Sequence, residues 1–328
     1  MGVLVTGGAG YIGSHMVLAL TDAGEDVTVL DNLTTGTRSA VDARAELVEG
    51  DIGDGALVRE IIARKNITEV VHFAGSIVVP ESVSDPLKYY SNNTAKTRSL
   101  IEACVSGGVS RFVFSSTAAV YGSPDQVPVT EDVALAPMSP YGRSKLMSEW
   151  MLQDVAAAHD LEYVVLRYFN VAGADPQGRS GQSTKDATHL IKVAVQAALG
   201  VRDHMSIFGD DYDTPDGTCI RDYIHVSDLI SAHEAALNHL RSDGGSLTAN
   251  CGYGHGSSVK QVIEAVERVA GKKIDARMDA RRPGDPAEIV ADASRARQVL
   301  GWVPTHDDLD EIVSHAFQWE SQLAQPAE

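Results

Sequence analysis

Along the first half of the chain, apolar positions gather in short β-branched runs separated by longer stretches with helical spacing. VLVTG near the start, VTVLDN at 27–32, AELVEGD at 45–51, EVVHFAG at 69–75, RFVFSST at 111–117 and YVVLRYFN at 163–170 read as strands. Strands with one wet face would alternate; nearly unbroken apolar runs fit parallel strands covered on both faces. The intervening segments predict helices over 11–23 ending at Gly24, over 55–65, over 91–106 ending at Gly107, and over 141–159. Strand and helix in steady alternation predict an α/β fold, a doubly wound parallel sheet of the Rossmann type.

The pattern changes after Asn170. VAGADPQGRSGQST at 171–184 is loop in composition, a helix is expected from about 185 to 199, and GDDYDTPDGT at 209–218 is polar. IRDYIHVSDL at 220–229 reads as a strand leading into a helix capped by Ser227, and SLTANCG as a further strand. A helix at 257–270, the charged loop RRPGDP at 281–286 and more helices complete the chain. This predicts a first domain over 1–172, rejoined by a segment at about 218–248. A smaller C-terminal lobe, 173–217 and 249–328, would pack over the carboxyl edge of the sheet. No repeat or low-complexity tract interrupts the chain.

Composition narrows the function. A chain of 328 residues with 44% apolar and 22% charged residues has the balance of a globular protein. Its 27 basic against 45 acidic residues leave −18 and no basic stripe, which argues against a nucleic-acid partner. An anionic ligand must then be met by local donors, because the overall field repels it. No apolar run reaches about 18 residues and no basic leader precedes MGVLVTGGAG, so neither a membrane span nor a signal peptide is expected. Cys104, Cys219 and Cys251 are scattered and odd in number, which suits a reduced compartment, the cytoplasm, and no metal site.

Candidate chemistry starts at GGAGYIG, 7–13, between the first strand and the first helix. Gly7, Gly10 and Gly13 form the G-x-x-G-x-x-G variant of the dinucleotide fingerprint. Such a turn lets backbone N–H groups approach a pyrophosphate at a helix N-terminus, where the dipole favours negative charge. Asp31 closes the second strand, where a carboxylate accepts from an adenosine ribose and repels a 2′-phosphate, favouring NAD over NADP. Asp51 ends the third strand within reach of an adenine edge, although either aspartate would also serve as a plain turn residue.

SPYGRSKLMSE, 139–149, sets Tyr141 and Lys145 four residues apart just after a helix-start signal. Residues so spaced share a helix face. A lysine charge beside a phenol favours the phenolate and lowers a pKa that is ordinarily about 10. The pair therefore predicts a tyrosine able to take up a proton near neutral pH.

Taken together, GGAGYIG, LDNL, EGDI, HFAG, SSTAAVYG, SPYGRSK and RYFN follow one another at strand ends and helix starts. IFGDDYDTPDGTCIRDYIHVSDL and RRPGDP extend the series. The chain thereby resembles, nearly end to end, the extended short-chain dehydrogenase/reductase family, and within it the nucleotide-sugar epimerases. The resemblance implies NAD held by Gly7, Gly10, Tyr11, Ile12 and Gly13 at the pyrophosphate and by Asp31 and Asn32 at the ribose. Asp51 and Ile52 would flank adenine. Phe73, Ala74, Gly75, Asn92, Ser115, Tyr168 and Phe169 would line the rest of the cofactor. It also implies Thr117, Tyr141 and Lys145 as the catalytic set, the last two touching cofactor and Thr117 and Tyr141 touching substrate. Asn170, His189, Phe208, Arg221, Arg282 and Asp285 would hold a UDP-sugar. Two guanidinium groups toward a diphosphate make chemical sense, since each binds phosphate bidentately. Arg221 and Arg282 would equally form surface ion pairs, and Phe208 would equally be core. His15, His72 and His225, set in apolar segments, read as structural.

The implied reaction is inversion at C4 of a UDP-hexose, with UDP-glucose and UDP-galactose first and N-acetyl or pentose forms as alternatives. Hydride would pass to a tightly bound NAD and return to the other face of a 4-keto sugar. A dehydratase is disfavoured because Ala118 and Ala119 follow Thr117 and cannot exchange protons. A two-step dehydrogenase lacks a cysteine in a catalytic motif. A non-catalytic sensor would have no need of Tyr141 with Lys145. Ile77 stands where family members often carry a phosphate-directed lysine, His189 where they often carry asparagine, and Ile289 where the sugar's far side is gated. The family also implies a homodimer through the helices at 91–106 and 141–159.

Overall fold

The structure, a computed structural model, describes residues 2–184, 187–282 and 285–324. Its first half runs β1 (Gly2–Thr6), α1 (Tyr11–Asp22), β2 (Asp26–Asp31), β3 (Glu46–Glu49), α2 (Gly55–Lys65), β4 (Ile67–His72), α3 (Val79–Ser84), α4 (Pro86–Tyr89), α5 (Lys96–Gly107), β5 (Arg111–Ser115), α6 (Pro140–Ala158), β6 (Glu162–Tyr168) and β7 (Asn170–Ala172). The remainder runs α7 (Leu190–Leu199), β8 (Met205–Phe208), β9 (Ile220–Arg221), β10 (Tyr223–His225), α8 (Val226–Arg241), β11 (Leu247–Cys251), β12 (Ser257–Ser258), α9 (Val259–Ala270), β13 (Ala276–Asp279), β14 (Glu288–Ile289), α10 (Ser294–Val299) and α11 (Leu309–Ala324).

Seven strands pair in parallel in the order β3-β2-β1-β4-β5-β6-β11. Alternate residues of the same strands go to opposite cores. Val3, Val5, Val29, Val71 and Val113 face one helical layer, and Leu4, Leu30, Val70, Phe112 and Phe114 the other. That double burial is why the strand sequences show no polar alternation. The order reverses between β1 and β4, the switch point at whose carboxyl ends this topology places ligands.

Several expectations are corrected. The helix expected over 91–106 opens as a π-helical turn, Tyr90–Ala95, before α5, and its left-handed terminator is Gly108. The strand expected over 163–170 breaks at Phe169, so β7 leaves the large sheet and pairs with β10. Helix α7 begins at Leu190 with His189 as its N-cap; of the expected 185–199, residues 185 and 186 lie outside the described residues. Helix α8 is capped not by Ser227 but by His225, whose Nδ1 accepts from the Ser227 amide at 3.0 Å. Strand β11, the strand expected from SLTANCG, enters the large sheet beside β6. No helix among the described residues is long and apolar enough to cross a membrane.

Candidate active site

The glycine turn follows β1 at that switch point. Gly7 has φ +73°, and a Cβ there would lie 2.6 Å from the Ala74 amide nitrogen. A Cβ on Gly13 would lie 2.2 Å from the Gly7 carbonyl oxygen, so only glycine lets α1 approach the turn this closely. Gly10 caps α1 without any side-chain hydrogen bond. The first amides of the helix, Tyr11, Ile12 and Gly13 among them, therefore keep their N–H groups for an external acceptor. A diphosphate fits this donor set: anionic, acceptor-only and slender enough for a wall without side chains. The Tyr11 hydroxyl points away and donates to the Gly173 carbonyl at 2.7 Å.

Around the turn, Asp31 accepts from the Ala9 amide at 3.0 Å and the Leu33 amide at 2.8 Å, fixing its carboxylate at the end of β2. Asn32 accepts from Thr34 and reaches Asp51 at 3.4 Å. Asp51 is bound by the Lys96 ammonium at 2.6 Å and by the Gly53 amide. These bonds hold its pKa below the ordinary carboxylate value against the opposing, largest influence of burial. Ile52 is buried in the core beside it. Past β4, Phe73 packs on His233 with ring centroids 4.8 Å apart, and Ala74 abuts Gly7. Gly75 faces Asn93 and Lys145. Asn92 donates to the Ser76 hydroxyl at 3.0 Å.

The ammonium of Lys145 lies against Gly75, and α6 carries the phenol of Tyr141 one turn before it. Ser139 caps α6 by accepting from the Gly142 amide at 3.1 Å, and Pro140 follows in the first turn, where its missing N–H costs nothing. A Cβ on Gly142 would lie 2.6 Å from the Ala119 carbonyl, so glycine lets the helix start close in on the segment carrying Thr117. Tyr141 is buried beside Thr117, whose hydroxyl accepts from the Ala119 amide at 3.1 Å. Burial raises the Tyr141 pKa, and the Thr117 hydroxyl opposes that. The expected lowering of this pKa is not met, because burial is the largest influence and raises it; the Lys145 ammonium donates to the Ser115 carbonyl at 2.9 Å. Lys145 itself is buried, lies over the Phe114 ring, and has its pKa lowered to about 8 by desolvation. Ser115 donates to the Tyr168 hydroxyl at 3.2 Å, and Phe169 packs against Tyr121 in a separate cluster.

The substrate candidates fall into two groups. Asn170 and His189 line one cavity of about 20 Å³ with Tyr223, Trp319 and Glu320. In the other, the Arg282 guanidinium lies 3.7 Å from the Phe208 ring centroid, and Arg221 pairs with Asp285. Phe208 is only partly buried, so the core reading of this residue is not met. Ile289 is buried and registers beside Arg221 in the small β12-β9-β14 sheet.

The profile of the NAD dependent epimerase/dehydratase family matches residues 3–252. The chain belongs to this family. It is 59% identical over 323 residues to the UDP-glucose 4-epimerase of Azospirillum brasilense, covering 98% of this chain and 93% of the relative. The crystal structure of the UDP-glucose 4-epimerase from Bifidobacterium longum in complex with NAD+ and UDP matches at TM-score 0.94 and 39% identity, over 98% of each chain. The UDP-Glc/GlcNAc 4-epimerase of Campylobacter jejuni matches at TM-score 0.86 and 48% identity, over 98% of this chain and 99% of that one. The resemblance read from the motifs is borne out.

In this member of the epimerase/dehydratase family, other residues shape the site without having stood out in the sequence. Asn93 accepts from the Ser76 amide at 2.7 Å, donates to the Ser76 carbonyl at 2.9 Å and donates to Ser144 at 3.1 Å, tying the loop after β4 to α6. Tyr89 meets the Tyr141 ring edge-on at 6.4 Å. Glu149 forks onto Arg167 at 2.6 Å and accepts from Ser116, the neighbour of Thr117. The doubled asparagine at 92–93 was the one legible signal among these.

Proposed function

We propose that the chain is an NAD-dependent UDP-glucose 4-epimerase that interconverts UDP-glucose and UDP-galactose. The observation that carries the reading is Lys145, one helical turn from the buried Tyr141, lying against Gly75 on the loop whose Ala74 abuts the glycine turn. Gly7, Gly10, Tyr11, Ile12 and Gly13 would hold the pyrophosphate of NAD, Asp31 and Asn32 its ribose, and Asp51 and Ile52 its adenine. Bound there, NAD would supply the hydride acceptor and donor for C4 and, in its oxidised form, a positive charge. Tyr141 takes the proton of the sugar 4-hydroxyl and later returns it. Lys145 supplies the second positive charge that offsets desolvation of the phenolate. Thr117 bridges the phenol and the sugar oxygen. On the other side, Phe208, Arg221, Arg282 and Asp285 would address the uracil, phosphates and ribose, with Asn170 toward the sugar and His189 toward the nucleotide's diphosphate.

Tethered through its diphosphate, the 4-keto sugar turns over and presents its other face, so no net redox change accumulates. UDP-N-acetylhexosamines are a second reading, supported by the aliphatic Ile289 beside Arg221 and by the dual name of the Campylobacter jejuni relative. A cytoplasmic homodimer completes the proposal. Its support is the three free cysteines and the exposed Leu87, Met147 and Trp150 on the adjoining helices α4 and α6. Conversion of UDP-galactose to UDP-glucose by the purified protein without added NAD, followed by product NMR, tests the reading. Absence of conversion would sink it.

A further inference from the structure

A polar chain of contacts runs from the C-terminal helix to His189. Glu320 on α11 is buried and accepts from the Lys192 ammonium and, at 2.6 Å, from the Gln196 amide. Lys192, equally buried, also donates to the Gln182 carbonyl at 2.6 Å, which pins the main chain of an otherwise irregular loop. The Gln182 side-chain amide then meets His189 Nδ1 at 2.8 Å. Among the described residues His189 Nε2 has no protein partner. Burial, and after it the Lys192 charge, hold the His189 pKa below its ordinary value, so the ring is neutral.

A neutral imidazole has one N–H and one bare nitrogen. The Gln182 amide donates only through its nitrogen, so a bond from it to Nδ1 leaves the proton on Nε2. Desolvating an ion pair as buried as Lys192–Glu320 offsets most of its attraction, so stability alone gives little reason to keep it. Holding the geometry of a polar network gives a better one.

We propose that Gln182, anchored by the Lys192–Glu320 pair, is a positioning residue for the sugar-nucleotide site. It fixes the His189 ring in its Nε2–H form beside Asn170, as a donor for the substrate's diphosphate. The inference rests on the UDP-sugar reading above. A diphosphate offers acceptors only, so an imidazole that could present a bare nitrogen would repel it half the time. The amide locks the ring in the binding orientation before the substrate arrives and lowers the ordering cost of binding.

The test uses the full-length protein with its bound NAD, labelled with 15N-histidine, with His189→Asn assigning the resonance. Long-range proton–nitrogen spectra of the wild type should show an unprotonated Nδ1 and a protonated Nε2 at residue 189. Gln182→Met should give a tautomer mixture and a UDP dissociation constant raised about tenfold, with NAD content unchanged. Glu320→Gln, which keeps the side-chain volume, should move both readouts the same way by less and serves if Gln182→Met fails to fold. An Nδ1–H form in the wild type, or UDP affinity unmoved in both variants, would overturn the proposal. A wild type that binds no UDP removes the functional reading and this inference with it. A wild type that binds UDP beside variants that bind it equally well removes the inference alone.

Discussion

Lys145 donates to the carbonyl of Ser115 at 2.9 Å, which joins the helix carrying the phenol to the end of the strand that leads to Thr117. This bond resists sliding of α6 relative to β5, so Tyr141 and Thr117 keep their relative placement. The lysine therefore acts twice, as a strut through its N–H and as a charge through its ammonium.

Replacing Tyr141 by phenylalanine removes the proton acceptor while keeping the ring against Tyr89. Turnover should drop by about 10²- to 10⁴-fold, the contribution of a positioned acid-base group. UDP affinity, read by calorimetry, should stay within about threefold, since little binding energy passes through the phenol. Retained turnover would remove Tyr141 from the chemistry.

The pH dependence follows from Lys145. Its pKa of about 8 in the folded chain lies below the ordinary 10.5, so the charge is intact below pH 8 and lost above it. Turnover should fall as pH rises through that value. Stability should move the opposite way. Between the two values the unfolded chain binds a proton that the folded chain does not, so this group's contribution grows more favourable with rising pH. Lys145→Met should abolish both trends. A flat turnover profile across that window would contradict the assignment.

Alanine at Gly7 would place its Cβ 2.6 Å from a backbone nitrogen at φ +73°. The turn must open to admit it, which separates the amides that face the diphosphate. The variant should fold and purify with little NAD, measured as nucleotide released on denaturation. Wild-type NAD content would show that the turn is not the cofactor's seat.

Glu149 and Arg167 form a buried fork beneath the site, with side chains 0% and 4% exposed. Glu149→Ala leaves a guanidinium without its partner in the interior and should cost about 3–5 kcal/mol in urea unfolding. A loss within about 0.5 kcal/mol, the range of a surface change, would mean that the pair is not closed.

Features written in local pattern were legible in the sequence. The apolar runs predicted the parallel sheet, and the spacing of Gly7, Gly10 and Gly13 predicted the turn. The residues that depend on distant partners were not. Lys145 binds a main-chain oxygen, an acceptor every residue carries, so nothing in the sequence distinguishes Ser115 as its target. The π turn at 90–95 carries Asn93, which is satisfied by Ser76 and Ser144, contacts that only the fold creates. His225 caps α8 as an imidazole acceptor, where local preference pointed to the serine. Lys192 and Glu320 meet across 128 residues.

The central claim is that one hydrogen leaves C4 and returns to the same carbon from a hydride held on the protein. UDP-galactose carrying deuterium at C4, incubated with the purified protein in ordinary water without added NAD, tests it most directly. The account predicts UDP-glucose with deuterium retained at C4. Product with protium at C4 would contradict it, because the hydrogen would then have come from solvent.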